Sequence, residues 1–207
     1  MGNLQKFDKL DHTAILIVDI TKEFLVSDGV KVVAESEAIV KPNQDLIAAG
    51  RAAGVPILYC NDTHRPGKPD AEFELCSDHC FAGTPGAEVI DQLAPQPQDY
   101  QIPKRRYSAF FQTDLDITLR ELGVKNVIVT GVLTNICVRS TVHDAFFLGY
   151  RVFVPADCCP GSSKAIHSGT STTTTDTSPT PPRPSAFSPA STGGGKTFHI
   201  PKPVRLL

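Results

Sequence analysis

Cys137 lies in the segment Gly131-Val-Leu-Thr-Asn-Ile-Cys137-Val, between the apolar run Asn126-Val-Ile-Val-Thr130 and a helix-forming stretch from about Ile136 to Leu148. A cysteine in the first turn of a helix meets free backbone N–H groups and the positive end of the helix dipole, and both favour a thiolate. The same N–H groups can hold an oxyanion. A nucleophile is one use for such a residue, and a small buried cysteine packed under a sheet is the other. Further reactive side chains follow strand-like runs in the same way. Asp19 closes Thr13-Ala-Ile-Leu-Ile-Val-Asp19, Asp62 and His64 follow Val55-Pro-Ile-Leu-Tyr-Cys60, and Lys104 closes Gln101-Ile-Pro-Lys104. Ligands of open α/β sheets bind at the carboxyl ends of the strands, so these groups share one edge. Each has a plainer reading alone: Asp19 as a loop hydrogen-bonder, His64 as an exposed loop histidine, and Lys104 with Arg105 and Arg106 as a solvated basic turn.

The elements that must carry these residues alternate. The run ending at Asp19 is apolar throughout, as strands buried on both faces are. Glu35 to Ala53 is helix-like, interrupted only by Pro42 and stopped at Gly54. After the second strand, Asn61 to Pro85 is a long polar loop, and Gly86 to Leu93 reads as a short helix. Thr113 to Leu122 is a helix with Thr113 or Asp114 as its cap. Tyr150-Arg-Val-Phe-Val-Pro155 is a fifth strand, after a helix stopped by Gly149. This order predicts an α/β fold: right-handed βαβ units forming an open parallel sheet with helices on both faces, a Rossmann-like three-layer arrangement.

Composition limits the function. The 207 residues carry 20 basic and 22 acidic side chains, a net charge of −2 that argues against a general polyanion binder. No run nears the ~18 apolar residues of a membrane span, so neither nucleic acid nor membrane is an expected partner. Met1 to Lys9 lacks an apolar stretch of the signal-peptide kind, which points to the cytoplasm. There, the cysteines at 60, 76, 80, 137, 158 and 159 are expected as thiols, ligands or a nucleophile rather than disulfides.

The alternation stops near Pro160. From Gly161 to Gly195, 26 of 35 residues are Ser, Thr, Pro or Gly, too little apolar material to offset ordering the backbone. The sequence therefore predicts a domain over 1–160 and an atypical, disordered, low-complexity segment over 161–207, with a short strand near 198–204. A natural tail and a shifted reading frame fit that composition equally.

Five ordered segments carry a resemblance: Ile17-Val-Asp19-Ile-Thr-Lys-Glu-Phe24, Asn61-Asp-Thr-His64-Arg-Pro, His79-Cys-Phe-Ala-Gly-Thr-Pro-Gly86, Lys104-Arg-Arg-Tyr-Ser-Ala-Phe110 and Gly131-Val-Leu-Thr-Asn-Ile-Cys137-Val. Over about residues 10 to 160 the chain resembles the isochorismatase-like cysteine hydrolases, and among them the nicotinamidases. The resemblance implies a catalytic triad of Asp19, Lys104 and Cys137. In it Lys104 lowers the thiol pKa, Asp19 moves the proton, and the thiolate forms a thioester with an amide substrate. It implies an oxyanion hole from the backbone N–H groups of Leu133 and Cys137, a cis Val132–Leu133 peptide, and Phe24 as a pocket wall. It also implies a divalent metal, Zn²⁺, Mn²⁺ or Fe²⁺, on Asp62, His64 and His79. A zinc site built on Cys76 and Cys80 competes with that reading, although Cys-x3-Cys without a second pair is a weak signal.

The implied activity is hydrolysis of a small carboxamide, nicotinamide first, in a homo-oligomer. The alternatives are a carbamoyl or ureido substrate without metal, or a catalytically silent module with an altered C-terminus. Two departures bear on this choice. The chain has no Trp, and Cys76 stands where some nicotinamidases place one. The helix that the family places after Ala156-Asp-Cys-Cys159 is excluded by composition.

Overall fold

A computed structural model describes residues 11–26, 33, 36–175 and 204–206. Strands β1 (Thr13–Val18), β2 (Ile57–Asp62), β3 (Tyr100–Lys104), β4 (Asn126–Gly131) and β5 (Arg151–Pro155) form a parallel sheet in the order β3-β2-β1-β4-β5. Every residue of β1, β2 and β4 is buried, as continuous apolar runs require in the centre of a sheet covered on both faces. Pro103 is tolerated because β3 is an edge strand. The helices are α1 (Lys22–Leu25), α2 (Ser36–Ala53), α3 (Leu115–Glu121) and α4 (Arg139–Phe147). From β1 the chain first moves outward to β2 and β3, then returns to β4 and β5 on the other side. Right-handed crossovers in opposite directions place the helices on both faces. They also create a switch point between β1 and β4, where a crevice opens at the carboxyl ends.

Helix α2 runs straight through Pro42, where the sequence suggested an interruption. Its buried residues Ile39, Asn43, Leu46, Ile47 and Gly50 recur at helical spacing, and this tertiary anchoring outweighs the missing N–H. A Cβ on Gly50 would lie 2.6 Å from Ile15 Cδ1, so glycine permits the close seat of α2 on β1. The helix expected over Gly86 to Leu93 is absent. Only single 3₁₀ turns at Pro85–Ala87 and Asp91–Leu93 form. Between them the backbone is tied to the end of β1, through Lys22 N to Glu88 O (2.8 Å) and Ile90 N to Ile20 O (3.3 Å). Those bonds take the groups a helix would have used.

The expected boundary at residue 160 also needs correction. A fifth helix, α5 (Lys164–Thr175), continues the domain past it. Ser163 stands at the N-cap, its Oγ accepting from Ile166 N at 3.2 Å, and His167 Nδ1 meets Thr134 Oγ1 at 2.9 Å. Ser163, which composition counted only as low-complexity material, is of a type favoured at a cap. Residues 176–203 of the expected low-complexity tail lie outside the described residues. Beyond them, β6 (Val204–Leu206) pairs antiparallel with β5, at the end of the stretch where a terminal strand was expected. All six cysteines are free, as expected. No helix among the described residues is long and apolar enough to cross a membrane.

Gly131 joins β4 to the segment that carries Cys137. Its φ is +111°, and a Cβ there would lie 1.9 Å from Val18 O. Gly131→Ala is expected to cost more than about 4 kcal/mol, read from urea unfolding or from loss of soluble protein.

Candidate active site

Three neighbouring strands each deliver one charge to the crevice. Asp19 follows β1, Asp62 ends β2 and Lys104 ends β3, with Asp62 and Lys104 in register. Asp19 adopts φ +54° and is held by two backbone bonds: its N–H donates to Cys60 O (3.2 Å), and its Oδ1 accepts from Asp62 N (2.7 Å). Lys104 is 1% exposed, and its ammonium pairs with Asp19 Oδ2 at 2.8 Å and with Asp62 Oδ1.

Cys137 arrives from the other side of the switch point. It does not lie in the first turn of an α-helix, as the sequence suggested, but in a π-helical turn, Thr134–Val138, that precedes α4. Leu133 stands at the start of that turn, after a cis Val132–Leu133 peptide. Thr134 pins the turn: its Oγ1 donates to Pro160 O (2.9 Å) and meets His167 Nδ1 (2.9 Å), and its N–H donates to Pro160 O (2.8 Å). Cys137 Sγ and one carboxylate oxygen each of Asp19 and Asp62 all lie within 4.8 Å of one another.

Burial pushes the Cys137 thiol well up; Lys104 pulls it down, as expected of that ammonium, and the charges of Asp19 and Asp62 oppose it. The Lys104 ammonium is itself held on, because its two carboxylate partners outweigh the cost of burial. Burial and the charge of Asp62 lift Asp19 to about 7, against the pull of Lys104. Burial would raise Asp62, but Lys104 and His79 hold it below the usual carboxylate range. A buried thiol beside a carboxyl group whose pKa lies near neutrality has a partner to which its proton can pass.

Asp62, His64 and His79 do come together, with Glu72 as a fourth member that the sequence reading missed. One ligand atom from each lies within 4.8 Å of all the others, and all four residues are buried. His79 Nε2 is 3.6 Å from Asp62 Oδ2 and 3.7 Å from Glu72 Oε1. The other ring nitrogen of His79 is 2.9 Å from Ser77 O. His64 Nδ1 is 3.0 Å from Asp70 Oδ2, while its Nε2 is buried with no hydrogen-bond partner. Two imidazoles, two carboxylates and an unpartnered buried ring nitrogen form a donor set that suits Zn²⁺, Mn²⁺ or Fe²⁺. Glu72 follows His64 in the polar loop, and an acidic residue between the two histidines was the available signal. Cys76 and Cys80 stay outside this group: Cys76 Sγ donates to Glu72 O, and Cys80 Sγ lies by Thr21 Oγ1. Phe24 packs on His79 with ring centroids 5.7 Å apart, and Phe73, also missed, packs on both histidines.

Removing the cation that two buried carboxylates share leaves both uncompensated. Lys104→Met is expected to lower stability by about 3–5 kcal/mol, measured by urea unfolding at neutral pH.

Comparison with known proteins follows the same geometry. The model of the isochorismatase domain matches residues 13–175. The chain is 35% identical over 174 residues to the ureidoacrylate amidohydrolase RutB of Stutzerimonas stutzeri, covering 72% of this chain and 70% of that one. A pyrazinamidase/nicotinamidase structure from Streptococcus mutans superimposes with a TM-score of 0.74 at 32% identity, over 77% of this chain and 93% of that one. N-carbamoylsarcosine amidase from Thermoplasma acidophilum superimposes with a TM-score of 0.72 at 34% identity, over 78% and 91%. With its sheet order, its crevice residues and a family match that runs through α5, this chain belongs to the isochorismatase family.

Proposed function

We propose that the protein hydrolyses the C–N bond of a small carboxamide through a thioester on Cys137, with a divalent metal on Asp62, His64, Glu72 and His79 beside it. The observation that carries this reading is the shared carboxylate. Asp62 belongs both to the Asp19–Lys104–Cys137 cluster and to the four-ligand group, so nucleophile and metal would face one substrate.

The protein's own groups supply the following steps. Cys137 Sγ attacks the amide carbonyl carbon while Asp19 takes the thiol proton. Backbone N–H groups at Leu133 and Cys137 receive the developing oxyanion. The C–N bond breaks, Asp19 returns the proton to the leaving nitrogen, and ammonia departs. Water then attacks the thioester with Asp19 as base, releasing the carboxylic acid and restoring the thiol. Lys104 keeps its positive charge throughout and balances Asp19 whenever that carboxylate is ionised. When bound, the metal offers a Lewis-acidic point for a ring nitrogen or a water. The Phe24 ring against His79 gives a flat apolar wall, which suits an aromatic carboxamide such as nicotinamide.

A second reading is favoured by the similarity to ureidoacrylate and carbamoylsarcosine hydrolases. A terminal ureido group would lose ammonia by the same attack, and its carbamate product would then release CO₂. A simple carboxamide releases ammonia alone. The two readings therefore separate on a substrate panel assayed for both gases.

Cys137→Ala is expected to abolish ammonia release while leaving the free energy of unfolding within about 1 kcal/mol of wild type, and residual turnover above about one part in a thousand would remove the covalent mechanism. Metal analysis of the full chain purified without chelator is expected to find a divalent ion. His64→Ala should lower metal content and nicotinamide hydrolysis together, whereas full activity in metal-free protein would take the metal out of the mechanism.

A further inference from the structure

The basic run Lys104-Arg105-Arg106 enters the crevice with one lysine, and the use of its two arginines is visible one shell further out. Arg106 Nη1 donates to Asp70 Oδ1 at 2.7 Å, and Arg105 Nη1 lies 3.6 Å from Asp70 Oδ2. The Asp70 side chain is 3% exposed although both arginines reach solvent. Its Oδ1 also accepts from Glu72 N at 3.2 Å, and its Oδ2 faces His64 Nδ1 at 3.0 Å. These bonds fix its carboxylate in place, against the side chain of one member of the four-ligand group and the backbone of another.

We propose that Asp70, anchored by Arg106, is a positioning residue that holds the proton of neutral His64 on Nδ1 and turns the bare Nε2 toward Asp62, Glu72 and His79. The role rests on the metal reading above. A neutral imidazole ligates through the nitrogen that lacks a proton, and a carboxylate on the other nitrogen both orients the ring and raises its basicity. The unpartnered Nε2 of His64 is the counterpart of the occupied Nδ1. The strut also links the two halves of the site. Arg106 stands two residues after Lys104, so the segment that ends β3 with the buried ammonium also fixes a histidine of the four-ligand group. Arg105 and Arg106 are therefore not simply a solvated turn.

Two measurements on the full chain test this. In metal-free, ¹⁵N-labelled protein, long-range ¹H–¹⁵N correlation of the imidazole nitrogens should report His64 protonated on Nδ1, and an Nε2–H tautomer would overturn the proposal. Titration with Co²⁺, followed by its d–d absorption, should give Asp70→Asn an affinity about 10–100-fold below wild type with an altered band shape. Arg106→Gln, at a half-buried position, should lose affinity in the same direction by a smaller factor, since Arg105 remains. Wild-type affinity and spectrum in Asp70→Asn would overturn the role of Asp70 alone. Failure of the wild-type protein to bind Co²⁺, Zn²⁺ or Mn²⁺ would instead overturn the metal reading, and this role with it.

Discussion

The buried ammonium of Lys104 is the constraint on which the crevice depends. An unpaired charge in the interior is too costly to keep, and one cation here is matched to two carboxylates. That match needs the ends of β1, β2 and β3 to lie side by side in a single register, so a slip in any of the three strands would strand a charge. Asp19, Asp62 and Glu72 gather three carboxyl groups around one lysine and two histidines, and the metal proposed above would complement such a group. Where these carboxylates meet Cys137, they oppose ionisation of its thiol, against the pull of Lys104.

The sheet order makes the meeting possible. Asp19 and Cys137 lie 118 positions apart in sequence by their numbering, yet they follow adjacent strands at the switch point. β1 and β4 approach so closely at Val18 and Gly131 that no side chain fits between them. The π-helical turn then brings Cys137 back over Asp19, and the segment Cys158–Pro160 braces it from behind. Cys158 O accepts from Asn43 Nδ2 and from Thr130 Oγ1, both at 3.0 Å, which ties this brace to α2 and β4 as well.

The loop between β2 and β3 builds the other half with no more than short 3₁₀ turns, one of them at Ala71–Glu74. His64 and Cys80 are joined by a backbone bond of 2.9 Å, and Ala82 N returns to His64 O at 2.8 Å. This short bridge holds His79 against His64, with ring centroids 4.8 Å apart. Phe73 packs against both rings and against Phe81, so an aromatic cluster helps to hold the candidate ligand groups in place.

By itself the sequence determined the parallel sheet, because apolar runs ending in Asp19, Cys60 and Thr130 can be satisfied only by strands covered on both faces. It also determined which edge would hold the reactive groups, since strand ends are readable from the runs themselves. Tertiary structure alone decided how those groups act on one another. The protonation of Cys137 depends on depth of burial and on two carboxylates from distant strands, which no local pattern encodes. Glu72 and Asp70 were not legible because they lie in a loop whose path is set by long-range contacts, not by periodicity. The same holds past Pro160. Composition measured the entropy of ordering Lys164–Thr175, but not the docking of His167 on Thr134 or the cap at Ser163 that offset it. Local sequence reports what a segment needs, and the packed fold decides what it meets.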